Sequence, residues 1–169
     1  MALLAWSGEF VGPVTFGGVT FWAAIEVDRE GHRRRRERGL AAVRDRACLH
    51  RELRRDSQTQ SLKPVVSAGG CIIASDAPAT AIANASLFAG YSRRAVLVPD
   101  TCDVIRVLVD ASILDQGVVL RTSAGLERLA DPGPRVPGHG FDAREWEFLE
   151  ALYDAWLRTT TRNGRADVA

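Results

Sequence analysis

Apolar side chains near the start of the chain recur at an interval of five, at Trp6, Val11, Phe16 and Phe21. A helix repeats at about 3.6 residues and a strand at about 2, so this period belongs to neither. The Val, Thr, Phe and Trp of residues 1–27 nonetheless favour extended structure. Residues 28–56 turn to Arg, Ala, Leu and Glu and predict a helix by propensity, with Gly39 as its weak point. The apolar face of that helix is poor: Leu40, Val43 and Ala47 fall on one side, and Ala42, Leu49 and Leu53 on the other. Such a helix is mostly solvated or grips two partners weakly.

SQTQS at 57–61 reads as a linker, and Lys63-Pro64 restarts extended structure. VVSAGGCIIAS, residues 65–75, predicts a buried strand whose Gly69-Gly70 pair marks a bulge or a close backbone contact. Residues 76–92 fit either a short helix, with Asp76 as cap and Pro78 at its start, or loop and strand. Three β-like runs follow, RAVLV at 94–98, VIRVLV at 104–109 and GVVLR at 117–121. SAGLERLA at 123–130 predicts a short helix, and the Pro/Gly stretch at 131–140 a loop.

The clearest periodicity lies in FDAREWEFLEALYDAWLRT, residues 141–159. Asp142 has the sequence position of an N-cap, with Glu145 at capping-box spacing. Trp146, Leu149, Tyr153 and Trp156 repeat at helical spacing and form one stripe, with Glu147, Glu150 and Asp154 outside it. The expected fold is therefore α+β: a short-stranded sheet packed by a C-terminal amphipathic helix, with the Arg-rich helix exposed. It divides into an extended segment at 1–27, the Arg-rich helix at 28–56, an α+β body at 64–160 and a disordered tail at 161–169.

The five-residue interval has a further reading. VTFGG at 14–18 and VTFWA at 19–23 resemble two units of the pentapeptide-repeat family, and ASLFA at 85–89 and ASILD at 111–115 also fit the unit. Leu108, Ile113 and Val118 keep the spacing. The contiguous resemblance covers about residues 5–24, one coil's worth, and gives way to the Arg-rich segment. It implies a square β-solenoid with Leu or Phe filling its centre, serving as a scaffold or binding surface rather than as an enzyme. One coil does not bury its own inner face, since solenoid repeats need neighbours.

Composition adds little to this outline. The 22 basic and 21 acidic residues nearly cancel, and apolar content of 46% suits an ordinary globular chain. Lys63 is the sole lysine, and with abundant alanine this Arg bias follows from GC-rich codons. Three widely spaced cysteines, Cys48, Cys71 and Cys102, do not outline a disulfide framework. A basic leader and a bilayer-length apolar run are both missing, so a soluble cytoplasmic bacterial protein without membrane contact is expected.

Charge is distributed unevenly. Residues 29–55 hold eleven Arg and four acids, a local net of +7 that leaves about −6 elsewhere. Arg33, Arg34, Arg35, Arg36 and Arg38 are candidates for contacting nucleic acid or an acidic partner, because guanidinium groups neutralise phosphates and pair with carboxylates. The competing expectation is a helix that pairs with the chain's own Glu145, Glu147 and Glu150. Asp100, Asp103, Asp110 and Asp115 flank predicted strands and form a candidate Mg²⁺ site of hydrolase type, hard cations preferring oxygen. VLVDASIL superficially resembles the Asp-bearing strand of PIN-type nucleases, although that strand opens the domain in those enzymes.

Single features remain. Cys48-x-His50 supplies two of the four ligands a zinc site takes. His139 lies in the PGHG loop without a nearby nucleophile. Two functions are thus in view: a non-catalytic interaction or regulatory module using its basic helix and no cofactor, or a small nuclease-like Mg²⁺-dependent hydrolase.

Overall fold

The structure, a computed structural model, describes residues 4–55, 62–135 and 141–166, with side chains up to 161. Strands β1 (Glu9–Phe16) and β2 (Val19–Val27) fold back on each other around Gly17 and Gly18. Both glycines have positive φ, +58° and +82°, the requirement of a two-residue hairpin turn that follows strand twist. The hairpin explains the interval of five. Phe16 pairs with Val19 and Val14 with Phe21, so all four side chains face inward across a two-residue turn. A register shift between Val11 and Val14 supplies the interval from 11 to 16, whereas Trp6 packs in a separate cluster with Ile72 and Ala95 and is not part of the row. The pairing is antiparallel, unlike the coil of a solenoid.

The Arg-rich segment is two helices instead of one. Helix α1 (Arg29–Glu37) is capped by Asp28, whose Oδ1 accepts from Gly31 N at 2.9 Å. It closes at Gly39, with Leu40 N donating to Arg35 O and Gly39 N to Arg36 O, a Schellman ending. Helix α2 (Arg46–Leu53) begins at Asp45, whose carboxylate accepts from Ala47 N and Cys48 N. The break unites the two weak apolar sides: Leu40 and Val43 join Leu49 and Leu53 in one cluster around Trp146 and Ala143. SQTQS lies outside the described residues.

From β3 (Val66–Ala74) the chain crosses over helix α3 (Pro78–Ser86) to β4 (Arg93–Pro99), then over helix α4 (Val104–Ile113) to β5 (Gly117–Thr122). β6 (Gly125–Ala130) turns back antiparallel, completing a sheet in the order β1-β2-β3-β4-β5-β6. Only β3-β4 and β4-β5 are parallel. The expected separate N-terminal segment is thus part of the sheet from β1 on, since β2 pairs directly with β3.

Two local expectations are corrected here. VIRVLV forms α4, not a strand, because parallel neighbours need a crossover and Asp103 caps it by accepting from Arg106 N at 3.1 Å. GLERLA forms β6, not a helix, because ladder bonding along β5 outweighs helix propensity. Pro78 does open α3, but its N-cap is Ala77, while Asp76 turns to Arg121 at 2.6 Å. Gly69 is the extra residue where Ala24 pairs Gly70 and Ile25 pairs Ala68. A Cβ on Gly70 would come within 2.3 Å of the Trp6 ring, so the strand expectation of a bulge and a close contact both hold.

The C-terminal helix α5 (Ala143–Ala166) lies on the sheet, continuing well past residue 160. Asp142 caps it, its Oδ1 accepting from Glu145 N at 2.7 Å. Trp146, Leu149, Tyr153 and Trp156 are all buried, each worth about 1.5–3 kcal/mol on full burial. The buried surface is wider than one stripe. Phe148 meets Phe16 at 5.5 Å and Phe21 at 5.8 Å on the sheet side, whereas Trp146 faces the α2 cluster. α5 is therefore sandwiched between sheet and α1–α2. Among the described residues no helix is long and apolar enough to cross a membrane.

Candidate functional site

The five candidate arginines of α1 and its end diverge. Arg35 is buried: its Nη1 and Nη2 donate to Glu150 Oε2 and Oε1 at 2.8 and 2.6 Å, and Nη2 also reaches Lys63 O. Arg35 is therefore no contact residue, because a side chain 5% exposed and engaged with a carboxylate has nothing to offer a partner. Arg33 is exposed but held by Glu30 and Glu37 at 2.7 Å each. Glu30 reaches Arg34 at 3.6 Å, while Arg36 and Arg38 are exposed without a carboxylate partner among the described residues.

The internal pairing expected for the basic segment is present at two of the three acids, while Glu145 pairs with an arginine outside that segment. Arg35 meets Glu150, Arg46 meets Glu147 at 2.8 Å, and Glu145 accepts from Arg135 of the segment before α5. Glu150, placed outside the apolar stripe by periodicity, is among the most buried acids. Its carboxylate also accepts from Val43 N and from Trp146 Nε1. Trp146 lies one turn earlier on α5, but Arg35 and Val43 come from more than 100 residues away, so the local sequence carried no sign of how deeply Glu150 is buried.

What survives of the basic face is a groove of about 300 Å³ between α1 and the residues entering β3. Arg34 and Arg38, one helical turn apart, form one wall; Lys63 stands on the other; Asp28 and the Arg35 side chain form the floor. Asp28 is occupied as the α1 cap, and Arg35 Nε is buried without an acceptor. Three exposed cations thus lie over a short cleft. Lys63 was missed as a site residue because it belongs to a different stretch of sequence and meets α1 only through the fold.

His32 sits on the opposite flank of α1. Its Nδ1 lies 2.9 Å from Tyr153 Oη and its ring stands edge-on to Trp156 at 4.8 Å. Burial, with Arg36 and Arg29 adding like charge, lowers its pKa. Burial raises that of Tyr153. The pair packs at the α1–α5 contact, with the Arg35 guanidinium over the Tyr153 ring at 5.2 Å.

The four aspartates do not assemble. Asp103 caps α4, and Asp115 lies past its far end, on the order of 15 Å away for a helix of ten residues. Asp110 pairs with Arg106 at 3.7 Å, and Asp100 stands in the turn after β4, its N donating to Arg121 O. Among the described residues no three His, Cys, Asp or Glu side chains are grouped to hold a metal. The Mg²⁺ expectation rested on all four flanking strands; with 104–113 helical, Asp103, Asp110 and Asp115 are spread along α4 and Asp100 stays in the turn after β4.

A second cleft, about 400 Å³, opens where β3 and β4 end, between the starts of α3 and α4. Its rim carries Asp76, Asp103, Arg106 and Asp110 and its wall Ile82 and Cys102. Of these, Asp76 pairs with Arg121 and Asp110 with Arg106, while Asp103 is occupied as the α4 cap. Cys71 is fully buried, burial pushing its thiol up to about 12, and Ser92 Oγ donates to it at 3.3 Å. Cys48 and His50 lie on α2 with no third ligand beside them among the described residues, and His139 lies outside those residues.

No protein-family model, curated protein or solved structure matches the chain.

Proposed function

We propose that the protein is a non-catalytic binding module that holds an acidic protein segment in the α1 groove, through Arg34, Arg38 and Lys63. The observation that carries this reading is the convergence of those three exposed cations from two distant stretches over one cleft. Arg35 supports it from below: locked to Glu150, it fixes the orientation of α1 and carries the Lys63 carbonyl, and so holds the two walls together.

Magnitudes favour a polypeptide over nucleic acid. Three neutralised phosphates give a salt slope of only about −2.7, well short of proteins that make six to ten such contacts. Among the described residues no aromatic side chain lines the groove to stack a base. Exposed ion pairs contribute about 0.2–1 kcal/mol each, so binding is weak and depends on several carboxylates engaging together.

Fluorescence anisotropy with a labelled Glu/Asp-rich peptide and with a short labelled DNA duplex tests the reading. The peptide is expected to bind wild type and the Arg36→Ser variant alike. The triple change Arg34→Ser, Arg38→Ser, Lys63→Ser is expected to weaken it at least about tenfold, the loss of a few charge-assisted contacts. Tighter binding of the duplex than of the peptide, or equal peptide binding by the triple variant, overturns it.

A further inference from the structure

Helix α4 turns the wrong way for an ordinary surface helix. Val107 and Ala111 face the core, yet on the far side Ile105 is 76% exposed, Val109 53% and Ile113 74%. Spaced four apart, the three form one apolar row along the outside of the helix. Singly exposed apolar residues need no explanation, but a contiguous row marks an interaction surface. Two further apolar side chains are exposed at the ends of α4 and α3. Leu114 is 38% exposed at the C-cap, and Leu87, 59% exposed, ends the neighbouring helix. Gln116 ties those two ends together, its Nε2 donating to Ile82 O and Ser86 Oγ at 3.0 Å each.

We infer that α4 is a self-association surface, and that its partner is α4 of a second copy running antiparallel to it. Two features of the row select a second copy. It reads the same from either end, isoleucine–valine–isoleucine, so a two-fold axis through Val109 sets each Ile105 against an Ile113. The flank of the row carries opposite charges one turn apart, Arg106 and Asp110, which form an intrahelical pair at 3.7 Å. In the antiparallel arrangement Arg106 of one chain lies beside Asp110 of the other, and the two-fold axis forms that pair twice. In a parallel two-fold pair that flank would face the partner's Leu108 and Ser112, which carry no charge, so charge favours the antiparallel one.

The surface is one helix wide and falls short of the ~800 Å² per partner of a standard complex. Association is therefore expected to be reversible, with a dissociation constant on the order of 10⁻⁵ M. It involves neither wall of the α1 groove, which belongs to a different layer of the fold.

Sedimentation velocity over a dilution series of the full chain tests the inference. The weight-average mass is expected to rise from one chain toward two with concentration. Val109→Asp puts two carboxylates on the axis and is expected to weaken the dimer at least about tenfold, with the circular dichroism melt of this exposed site unchanged. Arg106→Asp is expected to weaken it, and Arg106→Asp with Asp110→Arg to restore it. In a background of Cys48→Ser and Cys102→Ser, Val109→Cys is expected to cross-link to its own copy under mild oxidant, while Leu126→Cys on the edge strand is not. A mass that stays at one chain throughout leaves the row to a different protein and overturns the inference, as does a dimer indifferent to Val109→Asp.

Discussion

The guanidinium of Arg35 and the carboxylate of Glu150 form a two-pronged pair between α1 and α5, with side chains 5% and 1% exposed. Four donors converge on that one carboxylate: Nη1 and Nη2 of Arg35, Val43 N and Trp146 Nε1. A buried pair seldom stabilises more than an apolar pair of the same shape would, but losing one partner leaves the other charge stranded. Glu150→Leu is expected to cost about 3–5 kcal/mol by that argument, and Glu150→Gln, which keeps an acceptor for some donors, less. Chemical denaturation of both variants checks the order. Equal stability of Glu150→Leu and wild type would contradict it.

The His32 contact makes stability depend on pH in a definite direction. Its pKa in the fold is lowered, burial being the largest cause, so between that value and the ordinary 6.5 the unfolded chain binds more protons. The contribution of neutral His32 is therefore fully present above pH about 6.5 and is lost as pH falls through the lowered value. Thermal melts of wild type and His32→Gln between mildly acidic and neutral pH should show a steeper rise with pH for wild type. Parallel curves would remove His32 as the origin.

Gly70 and Trp6 occupy the same space on the sheet face away from α5. A Cβ at position 70 would lie 2.3–2.6 Å from three atoms of the indole. Gly70→Val is expected to cost about 1–3 kcal/mol as overpacking and to drive Trp6 off β3. A red-shifted emission component that is missing from the Gly70→Val, Trp6→Phe double variant would report this displacement.

The three thiols should separate by reactivity. Cys71 is 0% exposed with its thiol held mostly protonated at neutral pH, whereas Cys48 and Cys102 are partly exposed. An aromatic disulfide reagent is expected to label two thiols in the native protein and the third only on unfolding, since the thiolate is the reactive form. Peptide mapping that finds Cys71 labelled in the native state would contradict the burial.

Legibility followed the source of each signal. The α5 helix was readable because Asp142, Trp146, Leu149, Tyr153 and Trp156 are near in sequence and share one period. β3, β4 and β5 were readable as apolar runs of strand length, and Gly69-Gly70 as a bulge. Residues 104–109 misled for the reverse reason: a short apolar run fits a buried strand or a helix equally, and the arbiter was the need to cross between parallel neighbours. The edge strand β6 misled because its exposed side chains carry a helix-forming composition, while a ladder to β5 satisfies its backbone. Of the basic candidates, composition located the run but did not separate Arg35 from Arg34 and Arg38, because their identical side chains differ only in the direction α1 points them.

By itself the chain determined what depends on neighbours along it: the α+β class, the capped amphipathic helix, the break at Gly39 and the concentration of positive charge. Tertiary structure alone decided which charges are spent internally and which remain at the surface, where the aspartates end up, and which apolar residues are left uncovered. The physical reason is range. Capping, turn chemistry and periodicity act within a few residues, whereas the Arg35–Glu150 pair, the Lys63 wall and the outward row of α4 join positions whose proximity exists only after the sheet and α5 have packed.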